Sequence, residues 1–165
     1  MLDGNRHGYG IVYTTDNYGR AHLYECQWDQ GTPIEGRYIT IWSFTNSWHK
    51  YSGTLSHTYR LHGQGSWHHE NGFSYQGGWN EGKWHGQGKA KHIGGSGYEG
   101  GWNDGMYHGQ GRETDTDGGY REGEWKEQKA IGVHKYYNKE GHLLKIVDED
   151  TKEELTEEEY QKRLK

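Results

Sequence analysis

Apolar and polar positions alternate with a period of two through most of the chain. In YQGGWNEGKWHGQG (75–88), Tyr75, Gly77 and Trp79 fall on one side and the residues between them on the other. That spacing predicts a strand with those three residues on one face. Asn80-Glu81-Gly82 follows, a run that tolerates positive φ and suits a tight turn. A second arm then places Gly86, Gly88 and Ala90 on one face and His85, Gln87 and Lys89 on the other. IGGSG (93–97) turns the chain into YEGGWNDGMYHGQG (98–111), nearly the same fourteen residues 23 positions on. Each unit is therefore read as a β-hairpin.

Two anchors set the period. Gly77-x-Trp79, Gly100-x-Trp102 and Gly123-x-Trp125 recur every 23 residues, as does HGQG at 62–65, 85–88 and 108–111. The next copy, IGVH (131–134), keeps only the first glycine. Upstream the spacing loosens: Gly36 lies 27 before Gly63, and Gly8 lies 28 before Gly36. YECQWDQG (24–31) and YSGTLSHT (51–58) read as degenerate first arms, with Leu55 in the tryptophan slot. About five hairpins follow a half-unit that holds HGYG. A fixed period of this size indicates stacked repeats. A lone hairpin is marginal in water, so the units are expected to pair edge to edge. The fold predicted over 1–147 is all-β, a single elongated antiparallel sheet of stacked hairpins.

The tail changes the pattern. YYNKEGHLLKIV (136–147) reads as a last hairpin with an aliphatic second arm, and 148–165 as an acidic linker and a short C-terminal helix. TEEEYQKRLK opens with a capping box, Thr156 to Glu159, and Leu155, Tyr160 and Leu164 fall near one helical face. An open sheet edge needs a cover, so this segment is read as a cap or as a docking helix.

Composition explains what could hold such a sheet together. Mean hydropathy is −1.29, which alone leans towards disorder. Eight Trp and fourteen Tyr argue the other way, since each ring can bury roughly 150–250 Å². A glycine on a strand leaves a hole in the side-chain layer, and a ring from a neighbouring strand can lie across it. The predicted core is thin and aromatic. The lone cysteine, Cys26, rules out an internal disulfide and suggests a reducing, cytoplasmic setting. No apolar run is long enough to span a membrane, and MLDGNRHGYG does not read as a signal peptide.

At this level of detail YxGxWxxGxxHGxG resembles the MORN repeat (membrane occupation and recognition nexus). The segments 75–88 and 98–111 fit every signature position. The next unit departs: Tyr120 sits one residue early, Gln128 replaces the turn glycine and His134 the last glycine. The resemblance implies a non-catalytic part in scaffolding or protein docking, membrane association in some members, and a cytoskeletal or ciliary assembly. Choline- and glucan-binding repeats are also Gly/Trp/Tyr hairpins, but they lack the HGxG arm.

Other chemistries find little support. His62, His85 and His108 share one slot, yet equivalent positions two strands apart are ~10 Å apart, too far to share one metal ion. No phosphate loop or nucleophile–base pair is evident, so no catalytic residue, metal or cofactor is expected. Residues 1–147 hold 15 basic and 16 acidic residues, and the tail 4 and 8. That balance argues against nucleic-acid binding. The nearest basic cluster, Lys83, Lys89 and Lys91, is weak for an anionic lipid surface such as a phosphoinositide membrane. The expected partner is a protein, presented as an extended or helical segment. The expected contact face bears Tyr75, Trp79, Tyr98, Trp102, Tyr120 and Trp125, with Trp42 and Phe44 of YITIWSF (38–44) as a second contact.

Overall fold

The structure, a computed structural model, describes residues 5–42 and 47–164, with Trp42 described by its backbone alone. The described strands are β1 (Gly8–Thr15), β2 (Ala21–Asp29), β3 (Thr32–Trp42), β4 (Ser47–Leu55), β5 (Leu61–His69), β6 (Ser74–Asn80), β7 (Lys83–Lys91), β8 (Gly97–Asn103), β9 (Met106–Thr114), β10 (Tyr120–Lys126), β11 (Lys129–Tyr137), β12 (Leu143–Asp148) and β13 (Glu153–Leu155). They pair in chain order within one antiparallel sheet, and the short helix α1 (Glu157–Arg163) follows. The half-unit is β1, and the five hairpins run from β2–β3 to β10–β11. The segment expected to be a linker contains β13, whose Leu155 pairs with Ile146 of β12. The chain divides into two compact units, Met1–Trp84 and His85–Lys165.

Local chemistry sets the hairpins. The turns after β6 and β8 place Glu81 and Gly82 at φ 48° and 85°, and Asp104 and Gly105 at 50° and 83°. Two successive positive φ values make the turn whose twist matches paired strands. The first glycine of each HGxG arm is also left-handed: Gly63, Gly86, Gly109 and Gly132 have φ between 61° and 71°. Around Gly109 the register of β8 against β9 shifts between Gly100 and Trp102, the mark of a bulge. A Cβ at Gly109 would meet nothing within 4 Å. The backbone angle, not room, calls for glycine there.

The second glycine of the arm has the opposite reason. In the first unit a register row crosses the strands through Gly10, Cys26, Gly36, Gly53, Gly65 and Gly77. The adjacent row on the same face carries Val12, Tyr24, Tyr38, Tyr51, Trp67 and Tyr75. Tyr51 leans across the gap: a Cβ on Gly65 would lie 2.5 Å from its Cζ. In the second unit the row is Gly88, Gly100, Gly111 and Gly123. There a Cβ on Gly111 would lie 2.6 Å from Tyr98 Cε2. The rings over bare backbone are the core, and Tyr51, Tyr75, Tyr98 and Trp125 are among its largest fully buried or nearly buried side chains.

Candidate functional site

The face that carries these rows, the ring face, is built from a repeated set of bonds. Tyr51, Tyr75 and Tyr98 each donate the hydroxyl to the carbonyl three residues on, Thr54, Gly78 and Gly101, at 2.8, 2.9 and 3.1 Å. To reach it the ring runs over the residue two ahead, and a Cβ on Gly53 or Gly100 would lie 2.5 or 2.9 Å from the tyrosine Oη. This accounts for Tyr-x-Gly. Trp79 and Trp102 approach from the other side and donate Nε1–H to the carbonyls of Gly65 and Gly88, at 3.3 and 3.1 Å. Tyrosine and tryptophan meet edge to face, 5.2 Å apart for Tyr75–Trp79 and for Tyr98–Trp102. Burial pushes the Tyr75 hydroxyl up to about 12 and raises those of Tyr51 and Tyr98 as well, so all three stay donors at neutral pH.

The sequence-predicted contact residues fall in different places. Tyr75, Trp79, Tyr98, Trp102 and Trp125 lie on the ring face, each less than 8% exposed. Tyr120 does not share that face. It pairs with Thr114 while Arg121 pairs with Glu113, opposite Tyr98. A one-residue offset on a strand turns the side chain to the other side, so Arg121 takes the tyrosine slot. Tyr120 instead stacks on Tyr137 at 4.8 Å, beneath the Arg112 guanidinium at 4.1 Å. Phe44 and the Trp42 side chain lie outside the described residues.

The last hairpin compensates for its missing tyrosine. His134, in the place of a second glycine, is fully buried and lies over Gly123, where a Cβ would be 2.6 Å from its Cγ. Its Nε2 is 2.9 Å from the Glu124 carbonyl, the acceptor 23 residues after that of Tyr98. The ring has moved from the first arm to the second while the layer is kept. Arg121 stacks 4.7 Å from the Trp125 ring centre and pairs with Glu113 at 2.7 Å and Glu149 at 3.4 Å.

Accessible aromatic surface on this face comes from residues that the motif did not single out. In the first unit Trp67, Phe73 and Trp84 are half-buried. Trp67 meets Phe73 at 5.5 Å, Phe73 stacks on Trp84 at 5.7 Å, and Trp84 stacks on Tyr75 at 4.7 Å. In the second unit Tyr107 occupies the slot 23 residues after Trp84, but it is buried and stacks on Tyr98 at 3.6 Å. An aromatic before the HG of both complete motif copies, Trp84 and Tyr107, was the signal for these two.

The reactive-looking groups are quiet. His22 bridges Asp16 Oδ2 at 3.4 Å and the Tyr38 hydroxyl at 2.8 Å, an acid–imidazole–hydroxyl order. Burial raises the Tyr38 pKa, which opposes its activation as a nucleophile. Burial likewise pushes the Cys26 thiol up to about 11, and its sulfur fills the space over Gly36. Among the described residues no three His, Cys, Asp or Glu side chains come together as a metal site.

The opposite face, the open face, is polar in the second unit, with Lys89 on Glu99 at 2.7 Å and Arg112 on Glu122 at 2.8 Å. One member of the expected basic cluster is therefore neutralised. Beside α1 a cavity of about 510 Å³ is lined by Ile131, Val133, Tyr137, Tyr160 and Leu164. Thr156 caps α1 with the reciprocal bonds of a capping box, and Lys135 sits 4.3 Å from the Tyr160 ring centre. Among the described residues no helix is long and apolar enough to cross a membrane.

A comparison with curated proteins finds no match. The family model of the MORN repeat matches residues 1–17, 75–95 and 98–120, which include both complete copies of the motif. Tyr98, Gly100, Trp102 and Gly111 of the ring-over-glycine layer fall inside the matched segment 98–120. At these three segments the chain carries the MORN repeat.

Proposed function

We propose that this chain is a non-catalytic scaffold that holds an extended or helical segment of a partner protein against the ring face, within a cytoskeletal or ciliary assembly. MORN repeats point to a scaffold or a membrane-associated module, and the family is generally non-catalytic. The observation that supports docking is the half-exposed trio Trp67, Phe73 and Trp84, seated on buried Tyr75. Aromatic side chains with a rigid buried backing make strong interface anchors, because little rotamer freedom remains to be lost on binding. Tyr75 and Trp79 then act as the support for the contact and the trio as the contact itself.

The test is affinity capture from axonemal extract, followed by binding of the purified partner. Trp84→Ala should weaken that binding about thirtyfold or more, the scale of an interface hot spot. An unchanged affinity would refute docking on these rings. Phosphoinositide vesicles and choline, titrated against tryptophan fluorescence, test the alternatives. Saturable quenching by either, with no protein partner recovered, would favour a ligand-binding module.

A further inference from the structure

The open face of the first unit differs from that of the second. Tyr13, Leu23 and Ile39 are in register across β1–β3, and Ala21, Ile41 and Trp48 across β2–β4. With Ile11 beside Tyr13, these residues form one contiguous apolar patch. Exposure is high for residues of this type: 67% for Ile11, 70% for Tyr13, 46% for Ile41 and 44% for Trp48. Among the described residues nothing covers the patch, because the unit's core lies on the ring face. In the second unit, by contrast, Ile131, Val133 and Tyr137 on the open face share a cavity with Tyr160 and Leu164 at the chain's own helix.

We propose that this patch on β1–β4 is a self-association surface, occupied by the same patch of a second copy of the chain in a two-fold, sheet-on-sheet dimer. Three observations favour a second copy over other occupants. The charged side chains around the patch are Glu25, Glu35, Glu70, Arg37 and Lys50, of both signs. A surface with both signs can satisfy its own image, whereas an anionic lipid or a strongly charged partner calls for an excess of one. Arg37 is only loosely engaged at home, 4.0 Å from Glu25, and 62% of its side chain is exposed. The accessible area of Tyr9, Ile11, Tyr13, Leu23, Ile41 and Trp48 is on the order of 700–800 Å², close to the share of one partner in a standard interface. Finally, the residues other than Ala21 are β-branched, aromatic or leucine and lie in register rows, the surface that packs against another sheet at about 10 Å.

Isolated apolar residues on a surface are ordinary, but a contiguous patch of this size marks an interaction site. The proposal concerns a face opposite to the rings of the docking reading, so either can fail without the other.

Sedimentation equilibrium of the full chain over the micromolar range tests it. The expected result is a monomer–dimer equilibrium. Ile41→Glu should weaken the dimer about a hundredfold or more, and Leu23→Ser about tenfold, with far-UV circular dichroism unchanged. Leu23→Ser keeps the test valid if the charged variant misfolds. Gln87→Glu, on the open face of the second unit, should leave the equilibrium where it is. A monomer at every concentration would overturn the proposal, and so would a dimer indifferent to both first-unit substitutions. A monomeric chain that binds phosphatidylserine vesicles through Leu23 and Ile41 would overturn it in favour of a lipid surface.

Discussion

Replacing Gly111 by alanine adds one methyl group at the point where the Tyr98 ring crosses β9. The new Cβ would sit 2.6 Å from Tyr98 Cε2, well inside contact distance, and the ring is locked on its other sides. Tyr107 stacks on it at 3.6 Å, and Trp102 and Trp125 meet it edge to face at 5.2 and 5.6 Å. The ring must tilt away and give up its bond to the Gly101 carbonyl. Overpacking of a tight core costs about 1–3 kcal/mol, and a lost buried hydrogen bond about 1 kcal/mol more. The sum is about 3 kcal/mol, equivalent to a melting temperature lower by roughly 12–24 °C for a unit of this size. Urea and thermal unfolding followed by tryptophan fluorescence would read it, since Trp102 and Trp125 report on the same layer. The sharper measurement is a double-mutant cycle. Tyr98→Leu removes the obstructing hydroxyl and ring edge, so Gly111→Ala should cost far less in that background, with a coupling of at least about 1.5 kcal/mol. Additive effects, or a Gly111→Ala protein within about 0.5 kcal/mol of wild type, would refute the reading of this glycine as a hole for a ring.

Two further outcomes follow from the last hairpin. His134→Gly should destabilise it by about 2–4 kcal/mol, because it uncovers Gly123 and frees the Glu124 carbonyl, and adding Arg121→Tyr should restore part of that loss by rebuilding the arrangement of the preceding unit; denaturant midpoints of the single and double variants decide it. Stability should also fall in acid. Burial would raise the Glu149 pKa, but hydrogen bonds from Lys152 and Tyr136, with Arg121 nearby, hold it below the usual carboxylate range. Asp148 is held low by the Thr151 backbone amide, with Asp150 and Arg163 adding to the effect. A carboxylate with a depressed folded pKa stabilises above its unfolded value and loses that contribution as pH falls through the folded value. The melting temperature should therefore drop as pH falls below about 4.5, and Glu149→Gln should flatten part of that drop.

Much of this architecture is legible in residue order, because its causes are local. Period two, positive-φ turn residues and a 23-residue recurrence each act within one hairpin, so Tyr75–Trp79 and Tyr98–Trp102 could be placed on strands without coordinates. The capping box at Thr156 is equally local and forms as its spacing predicts. The side of the sheet taken by Tyr120 was also encoded, in its one-residue offset. Treating it as equivalent to Tyr98 lost it, since strand parity outweighs residue type. The same local rules supplied the reason for glycine at the turn, whereas the left-handed glycine at the bulge, Gly86 or Gly109, read only as a strand position.

What residue order could not decide is which rings remain available once the strands are side by side. Burial of Tyr75 and Trp79 is produced by Trp84 and Tyr51, which lie on different strands, and covering is a property of neighbours across the sheet. For the same reason His134 read only as a lost glycine until Gly123 and the Glu124 carbonyl stood beneath it. The open-face patch has the same origin, because Leu23, Ile39, Ile41 and Trp48 are scattered in sequence and joined only by register. Alternation along a strand is set by backbone geometry and is carried by the sequence itself. The sum of what each ring touches is set by lateral pairing, and tertiary structure alone fixes it.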